Sequence, residues 1–164
     1  MEIPLIRAES PADAAAVRAV HKAAFPTDAE ARLVDAIRAN GNDRVSLVAQ
    51  NQGRIVGHAL FSPVEVEGSE GIGLAPVAVL PDLQGVGIGT ALVKAGIDAC
   101  RSLGVKFIVV LGGPRYYRRF GFRPTHLGNE YGAGEEFMAL ELEPRATAAL
   151  HGVVKYGNEF ARFA

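Results

Sequence analysis

Between residues 84 and 90 the chain reads Gln84-Gly85-Val86-Gly87-Ile88-Gly89-Thr90, three glycines at alternate positions where a helical pattern begins. Gly85, Gly87 and Gly89 lack a Cβ, so their backbone N–H groups are open to a ligand that side chains would keep away. The helix that follows adds unpaired N–H donors and the positive end of its dipole. One oriented helix end contributes roughly 0.3–2 kcal/mol toward an anion, so useful affinity needs several convergent amides. A diphosphate is the natural guest. A P-loop is excluded, because no lysine precedes Thr90, and the spacing Gly-x-Gly-x-Gly is not the Gly-x-Gly-x-x-Gly of a dinucleotide fingerprint.

The elements that must position this loop can be read from residue pattern. Ile3 to Arg7 is a short extended run; Ser10-Pro11 then reads as N-cap and first helical position, with Asp13 in the first turn. Val17, Val20 and Ala24 follow at helical spacing. A second helix starts at Thr27-Asp28-Ala29-Glu30, which spells a capping box, runs through Leu33, Val34 and Ile37, and stops at Asn40-Gly41. Val45 to Gln50, Arg54 to Val66 and Gly71 to Leu80 are rich in β-branched or apolar residues, with short turn-like segments between them. They predict a three-stranded antiparallel meander. From Ile88, one helical face carries Leu92, Ala95, Gly96, Ala99, Cys100 and Leu103, the other Lys94, Asp98 and Arg101, and Gly104 ends the helix. Lys106 to Leu111 is a short buried-strand pattern, so residues 74–111 form a strand, helix, strand unit with parallel strands and a right-handed crossover.

A short helix over Pro114 to Phe120, a brief strand start at Phe122-Arg123 and a last strand over Phe137 to Leu142 complete the pattern. Beyond Pro144, the residues Val153, Val154, Tyr156, Phe160 and Phe163 are apolar enough to dock this extension, residues 144–164, although no element is assigned there. The expected fold is α/β (α+β), a mixed and mostly antiparallel sheet with helices on both faces, in a single domain over residues 1–164.

Composition narrows the function classes. With 164 residues, 49% hydrophobic and 21% charged, the chain is of ordinary globular type. A net charge of −1 gives no global field toward nucleic acid or an anionic membrane, so neither is an expected partner. Glycine or proline interrupts every apolar run well short of a membrane span, and no secretory leader is read at the N-terminus. One cysteine, Cys100, excludes an intrachain disulfide, and the four histidines lack metal-ligand spacing, so no metal is expected and the cytoplasm is the default location.

A second motif, Tyr117-Arg118-Arg119-Phe120-Gly121-Phe122, follows the strand after the glycine helix. Together Gln84-x-x-Gly87-x-Gly89 and Tyr117-x-x-x-Gly121-Phe122 resemble the coenzyme A pyrophosphate loop and the Tyr-x-x-x-Gly-Phe motif of the GNAT superfamily of N-acetyltransferases. The order of elements agrees from Ile3 to Leu142, and the strings Gly71 to Val79 and Gly113 to Phe122 look most like its YhbS-like branch. The resemblance implies acetyl-CoA as co-substrate, bound by residues 84–90 and by backbone groups of Val77, Ala78 and Val79. In the superfamily this strand splays from its parallel neighbour, and Pro76, lacking an N–H, fits such a disruption. The implied acceptor is a small amine or a protein amine, and the tail is a candidate for shaping the acceptor site or a homodimer contact.

Acetyl transfer to an amine needs a base, donors for the developing oxyanion and an acid for the leaving thiolate. Tyr117 is the candidate acid, and an N–H near Val79 the candidate oxyanion donor. Tyr116 is expected to point about 100° away along the helix, toward packing or the acceptor wall. Glu30 is a candidate base, although its capping-box position offers a structural role that is the preferred reading. His58, in the second meander strand, is another, although a histidine in a strand is more often structural. Arg115, Arg118 and Arg119 either meet coenzyme A phosphates or line a solvated face, Glu65 reads as a solvated strand-end charge, and Cys100 reads as packing. With no activated nucleophile pair visible, transfer is expected to be direct. The rival from another class is an acyl-CoA-binding sensor or interaction module without catalysis.

Overall fold

The computed structural model describes residues 4–163, so Ile3, the expected start of the first strand, lies outside the described residues. The chain groups into two compact units, the first comprising residues up to Phe61 with Ala75–Ala99, the second Ser62–Leu74 with the residues from Cys100 onward.

The first unit opens with β1 (Leu5–Ala8), a single 3-10 turn over Pro11–Asp13, and helix α1 (Ala14–Ala24). The Asp13 carboxylate accepts from the Ser10 N–H at 2.8 Å and pairs with Arg7 at 2.7 Å, which fixes the entrance to the helix. α1 buries Val17, Val20 and also His21. Helix α2 (Ala29–Ala39) starts one residue later than the Thr27 cap expected from the sequence implies. Asp28 occupies the N-cap and the Thr27 hydroxyl accepts from the Ala29 N–H at 3.2 Å, so the capping box with Glu30 does not form. Gly41, with φ +69°, closes α2, and the Asn42 N–H reaches back to the Ile37 carbonyl at 3.0 Å.

Strand β2 (Val45–Asn51) pairs antiparallel with β1 and with β3 (Arg54–Val66), the latter across a tight turn in which Gln52 and Gly53 both have positive φ. A matching turn at Glu67 and Gly68 leads into β4 (Ser69–Val79). Helix α3 (Ile88–Ser102) packs closely on β3: a Cβ on Gly96 would stand 2.1 Å from the Phe61 ring, and one on Gly57 would stand 3.0 Å from Leu92. Only glycines allow that approach.

The second unit contains β5 (Phe107–Leu111), helix α4 (Pro114–Arg118), β6 (Arg123–Pro124), β7 (Gly128–Asn129), β8 (Phe137–Glu141) and β9 (Val153–Tyr156). β5 runs parallel to β4 through Ile72↔Ile108 and Gly73↔Val109, and antiparallel to β8. The tail docks as expected: β9 pairs with β3 at Val64↔Tyr156 and Glu65↔Lys155 and with β7. Val154 joins a core of Val64, Val66, Phe107, Val109, Leu127 and Phe137. The strand order β1-β2-β3-β4-β5-β8-β6 gives the mixed, mostly antiparallel sheet with flanking helices and one parallel pair. One expected core residue is corrected. Leu103 is 63% exposed, because α3 ends at Ser102 and Gly104 (φ +77°) turns the chain away. Among the described residues, no helix is long and apolar enough to cross a membrane.

Candidate active site

The glycine segment follows β4 through a short 3-10 turn, Pro81–Leu83. Val77 is half-buried, Ala78 and Val79 are buried, and the Gln84 side-chain amide donates to the Val79 carbonyl at 2.9 Å, tying the loop to the strand end. Gly85 (φ +79°) and Gly87 (φ +98°) lie in the left-handed region, and nothing stands within 4 Å of a Cβ built on either. Gly89, inside the first turn of α3, has no such constraint. Gly85, Val86 and Gly87 are exposed, and the α3 ladder begins with Ala91 N–H on the Gly87 carbonyl at 3.0 Å. Among the described residues, no backbone carbonyl accepts from the N–H groups of Gly85 to Gly89. The segment is therefore an open row of amide donors at the head of a 15-residue helix.

In the second unit, Gly113 caps α4 and Pro114 takes its first position. The Tyr117 ring meets Tyr116, Phe120 and Phe122 at centroid distances of 5.0, 6.1 and 5.8 Å. Gly112 is required here, since a Cβ on it would fall 2.4 Å from the Tyr117 ring. Burial, with a smaller contribution from Tyr116, pushes the Tyr117 phenol up to about 12. Tyr117 thus keeps its proton at neutral pH, and among the described residues none hydrogen-bonds its hydroxyl. Arg119 lies 4.4 Å over the Tyr116 ring, while Arg115 and Arg118 are exposed.

Of the two candidate bases, Glu30 has a buried Oε1 without a hydrogen-bond partner, the opposite of a cap engaged with its helix. His58 is fully buried, with both ring nitrogens occupied: Nδ1 faces His21 Nε2 at 2.8 Å, and Nε2 faces the Ser46 hydroxyl at 2.8 Å. His58 therefore cannot touch an acceptor directly. Ser46 donates in turn to Glu9 at 2.6 Å, and Glu9 pairs with Arg38. Burial alone would raise the Glu9 carboxyl, but bonds from His58 and Ser46 and the charges of His58 and Arg38 outweigh it, giving about 2. At the other end of the chain, His21 Nδ1 is buried with no partner, a state that costs about 1–3 kcal/mol. Sequence reasoning missed His21, Ser46, Glu9 and Arg38. Only the position of His21 four residues after Val17, on the apolar face of α1, signalled its burial. Glu65 is exposed as expected, and Cys100 is buried, its thiol pushed up to about 12 by that burial.

This sheet, with a glycine-opened helix after its fourth strand, is that of an acyltransferase, and the chain belongs to the acetyltransferase (GNAT) family, whose model matches residues 14–122. It is similar to the uncharacterized N-acetyltransferase YhbS of Escherichia coli strain K12, 36% identical over 166 residues that cover 97% of this chain and 99% of that protein. The crystal structure of Escherichia coli YhbS in complex with CoA superposes with a TM-score of 0.93 at 35% identity, covering 100% of this chain and 95% of that one. A GNAT family acetyltransferase from Brucella melitensis in complex with acetyl-CoA follows at a TM-score of 0.83 and 38% identity, covering 96% and 97%.

Proposed function

We propose that this protein moves an acetyl group from acetyl-CoA directly to a primary amine. The exposed glycine segment carries the reading. Gly85 and Gly87 hold the chain in a conformation that turns unshielded amides outward at the head of α3, which suits two linked phosphates. The relatives solved with CoA and with acetyl-CoA support the same ligand here. Val77, Ala78 and Val79 offer backbone groups to the pantetheine arm, and the Val79 N–H donates to the carbonyl oxygen as it gains charge. Tyr117 gives its proton to the departing thiolate, a role suited to a phenol that is protonated and uncommitted. Glu30, through its unpartnered Oε1, is the proton acceptor for the amine, and His58, enclosed behind Ser46 and His21, is the second candidate. Cys100, buried and held protonated, forms no acetyl-enzyme.

Thermal shift with acetyl-CoA, ATP and NAD, followed by thiol release across a panel of amines, tests the proposal. Acetyl-CoA alone should stabilise the protein, and at least one small amine or peptide N-terminus should release CoA. Stabilisation by ATP or NAD in its place contradicts the ligand assignment. Stabilisation by acetyl-CoA without thiol release from any amine would leave a binding module.

A further inference from the structure

From Ala99 to Asn129 the chain carries Arg101, Lys106, Arg115, Arg118, Arg119 and Arg123 and not one Asp or Glu. Against a net charge of −1 for the whole protein, cations are thus concentrated in one stretch. Arg115, Arg118, Arg119 and Arg123 lie on α4 and the strand that follows it, and all four are exposed. Pro114 at the first position presets the short helix, and Arg115, Arg118 and Arg119 recur at the i, i+3, i+4 spacing that puts them on one face. That face forms a shallow open concavity of about 550 Å³, lined by Pro114 and these three arginines.

These arginines are not spent on the fold. Arg7, Arg18 and Arg38 in the first unit each pair with a carboxylate, whereas among the described residues no carboxylate pairs with Arg115, Arg118, Arg119 or Arg123. Two of the four are nevertheless fixed in place. Arg119 lies over the Tyr116 ring and its Nε donates to the Tyr116 carbonyl at 3.0 Å. Arg123 Nη1 donates to the carbonyls of Phe122 at 2.8 Å and Arg118 at 3.2 Å. Each keeps N–H donors to spare, in the planar fork that matches a carboxylate, and holds its charge at any physiological pH.

We infer that this face of α4 is a docking surface for an acidic peptide segment, carried by the acceptor whose amine is acetylated. The inference rests on the acetyltransferase reading and deepens it, naming as acceptor a protein or peptide with carboxylates near the reacting amine. The extent of the patch selects this partner. Nucleic-acid binding draws on roughly six to ten phosphate contacts along a positive track, and past Asn129 the chain turns acidic with Glu130, Glu135 and Glu136. An anionic bilayer asks for a lipid chain or an apolar wedge besides a few cations, and no large apolar side chain lines this face. A small molecule is held where most of its surface is buried, which a shallow face does not provide. Two or three carboxylates on a flexible segment match the forks present. Position along the helix sets the spacing. Arg118 is turned about 100° from Tyr117, the proposed acid, and Arg115 and Arg119 about 160°. Around a helix roughly 10–12 Å wide this is a path of about 9–17 Å, or roughly three to five residues of extended chain. The acidic residues therefore lie about that many positions from the acetylated amine.

Fluorescein-labelled hexaglutamate and hexaglutamine peptides, titrated with the full chain and read by anisotropy, test the surface directly. Hexaglutamate should bind, hexaglutamine should not, and binding should fade above about 0.1 M salt, where charges are screened beyond about 10 Å. Joint Arg115→Ala and Arg118→Ala substitution should weaken hexaglutamate binding roughly 5–30-fold, since an exposed ion pair contributes up to about fivefold. Arg119 is left in place because it covers the Tyr116 ring beside Tyr117. Lysine at both positions should keep part of the affinity, as charge without the fork. In thiol release, peptides with Glu about three to five residues from a free N-terminus should show higher kcat/KM than their Gln counterparts, a preference lost in the alanine pair. Equal affinity for the two probes, or hexaglutamate binding that the alanine pair leaves intact, overturns the inference. Tighter binding of a single-stranded oligonucleotide or of phosphatidylserine vesicles overturns it too, as does a weaker acetyl-CoA Kd in the alanine pair, which assigns the arginines to the cofactor. If hexaglutamate binds through these arginines while no amine or peptide releases thiol, the docking surface stands and the acetyltransferase reading alone fails.

Discussion

Gly87→Ala separates the two costs that a positive φ imposes. At φ +98° with nothing within 4 Å of the added methyl, the penalty is conformational and not steric. Holding a non-glycine residue in left-handed backbone costs roughly 1–2 kcal/mol. Because residues 85–87 are exposed, the free protein can relax this loop locally, and its melting temperature should barely move. Acetyl-CoA has to restore the original turn on binding, so the penalty appears in affinity as a rise in Kd of roughly 5–30-fold. Gly104→Ala is the matched control. Its φ is +77°, its Cβ site is equally empty, and it closes α3 instead of facing a ligand. It should lose about 1 kcal/mol of stability, roughly 2–4 °C in a chain of this size, with Kd unchanged. Calorimetric titration of acetyl-CoA into both variants reads the contrast. If Gly87→Ala binds as tightly as wild type while Gly104→Ala shows its thermal loss, the left-handed turn is not what grips the phosphates, and the reasoning from glycine geometry to ligand fails.

Tyr117→Phe should lower turnover by roughly 10²–10⁴-fold with acetyl-CoA affinity nearly unchanged; lost binding with intact turnover per bound complex contradicts its role as acid. Gly96→Ala should cost about 1–3 kcal/mol, read as a lower urea midpoint at constant slope, because its Cβ would sit 2.1 Å from the Phe61 ring; a neutral result means that the ring swings aside at no cost. Acid should destabilise the fold in two steps. His21 is depressed from 6.5 to about 3 by burial and His58, so the unfolded chain binds its proton first and stability falls as pH drops below 6.5. Glu9, lowered from 4.5 to about 2, adds a loss of the same sign from pH 4.5 downward. Urea midpoints measured across this range should decline less steeply in His21→Gln, and parallel curves for the two proteins would count against a neutral, buried His21.

What the sequence disclosed was the local grammar. Both meander turns are written in residues that accept positive φ, Gln52-Gly53 and Glu67-Gly68, and the strands between them are β-branched runs, so the strand bounds came out within two residues. The glycine loop was legible because its function lies in missing side chains. Features fixed by distant partners were not. β7 and β9 are two and four residues long and exist through pairing with each other and with β3, which no periodicity records. The string Thr27-x-x-Glu30 is the same whether or not the box closes; a start at Ala29 moved the N-cap to Asp28 and released the Glu30 carboxylate. His58 was visible as a strand histidine, but its meaning depends on His21, which approaches from a helix 37 positions earlier.

That pair also resists an explanation by stability alone. A core position wants an apolar side chain, and exchanging both members of a buried hydrogen-bonded pair for apolar groups is often nearly neutral. Keeping His21 and His58 instead commits Ser46, Glu9 and Arg38 to satisfy them, and still leaves one nitrogen bare. At about 1–3 kcal/mol, that nitrogen consumes a real share of the roughly 5–15 kcal/mol that holds a domain together. Packing would have been served more cheaply by a valine and a leucine. Histidines supply what those residues cannot, a run of polar contacts from α1 through β3 and β2 to the Glu9 carboxylate. The structural cost of that run falls on one atom, His21 Nδ1.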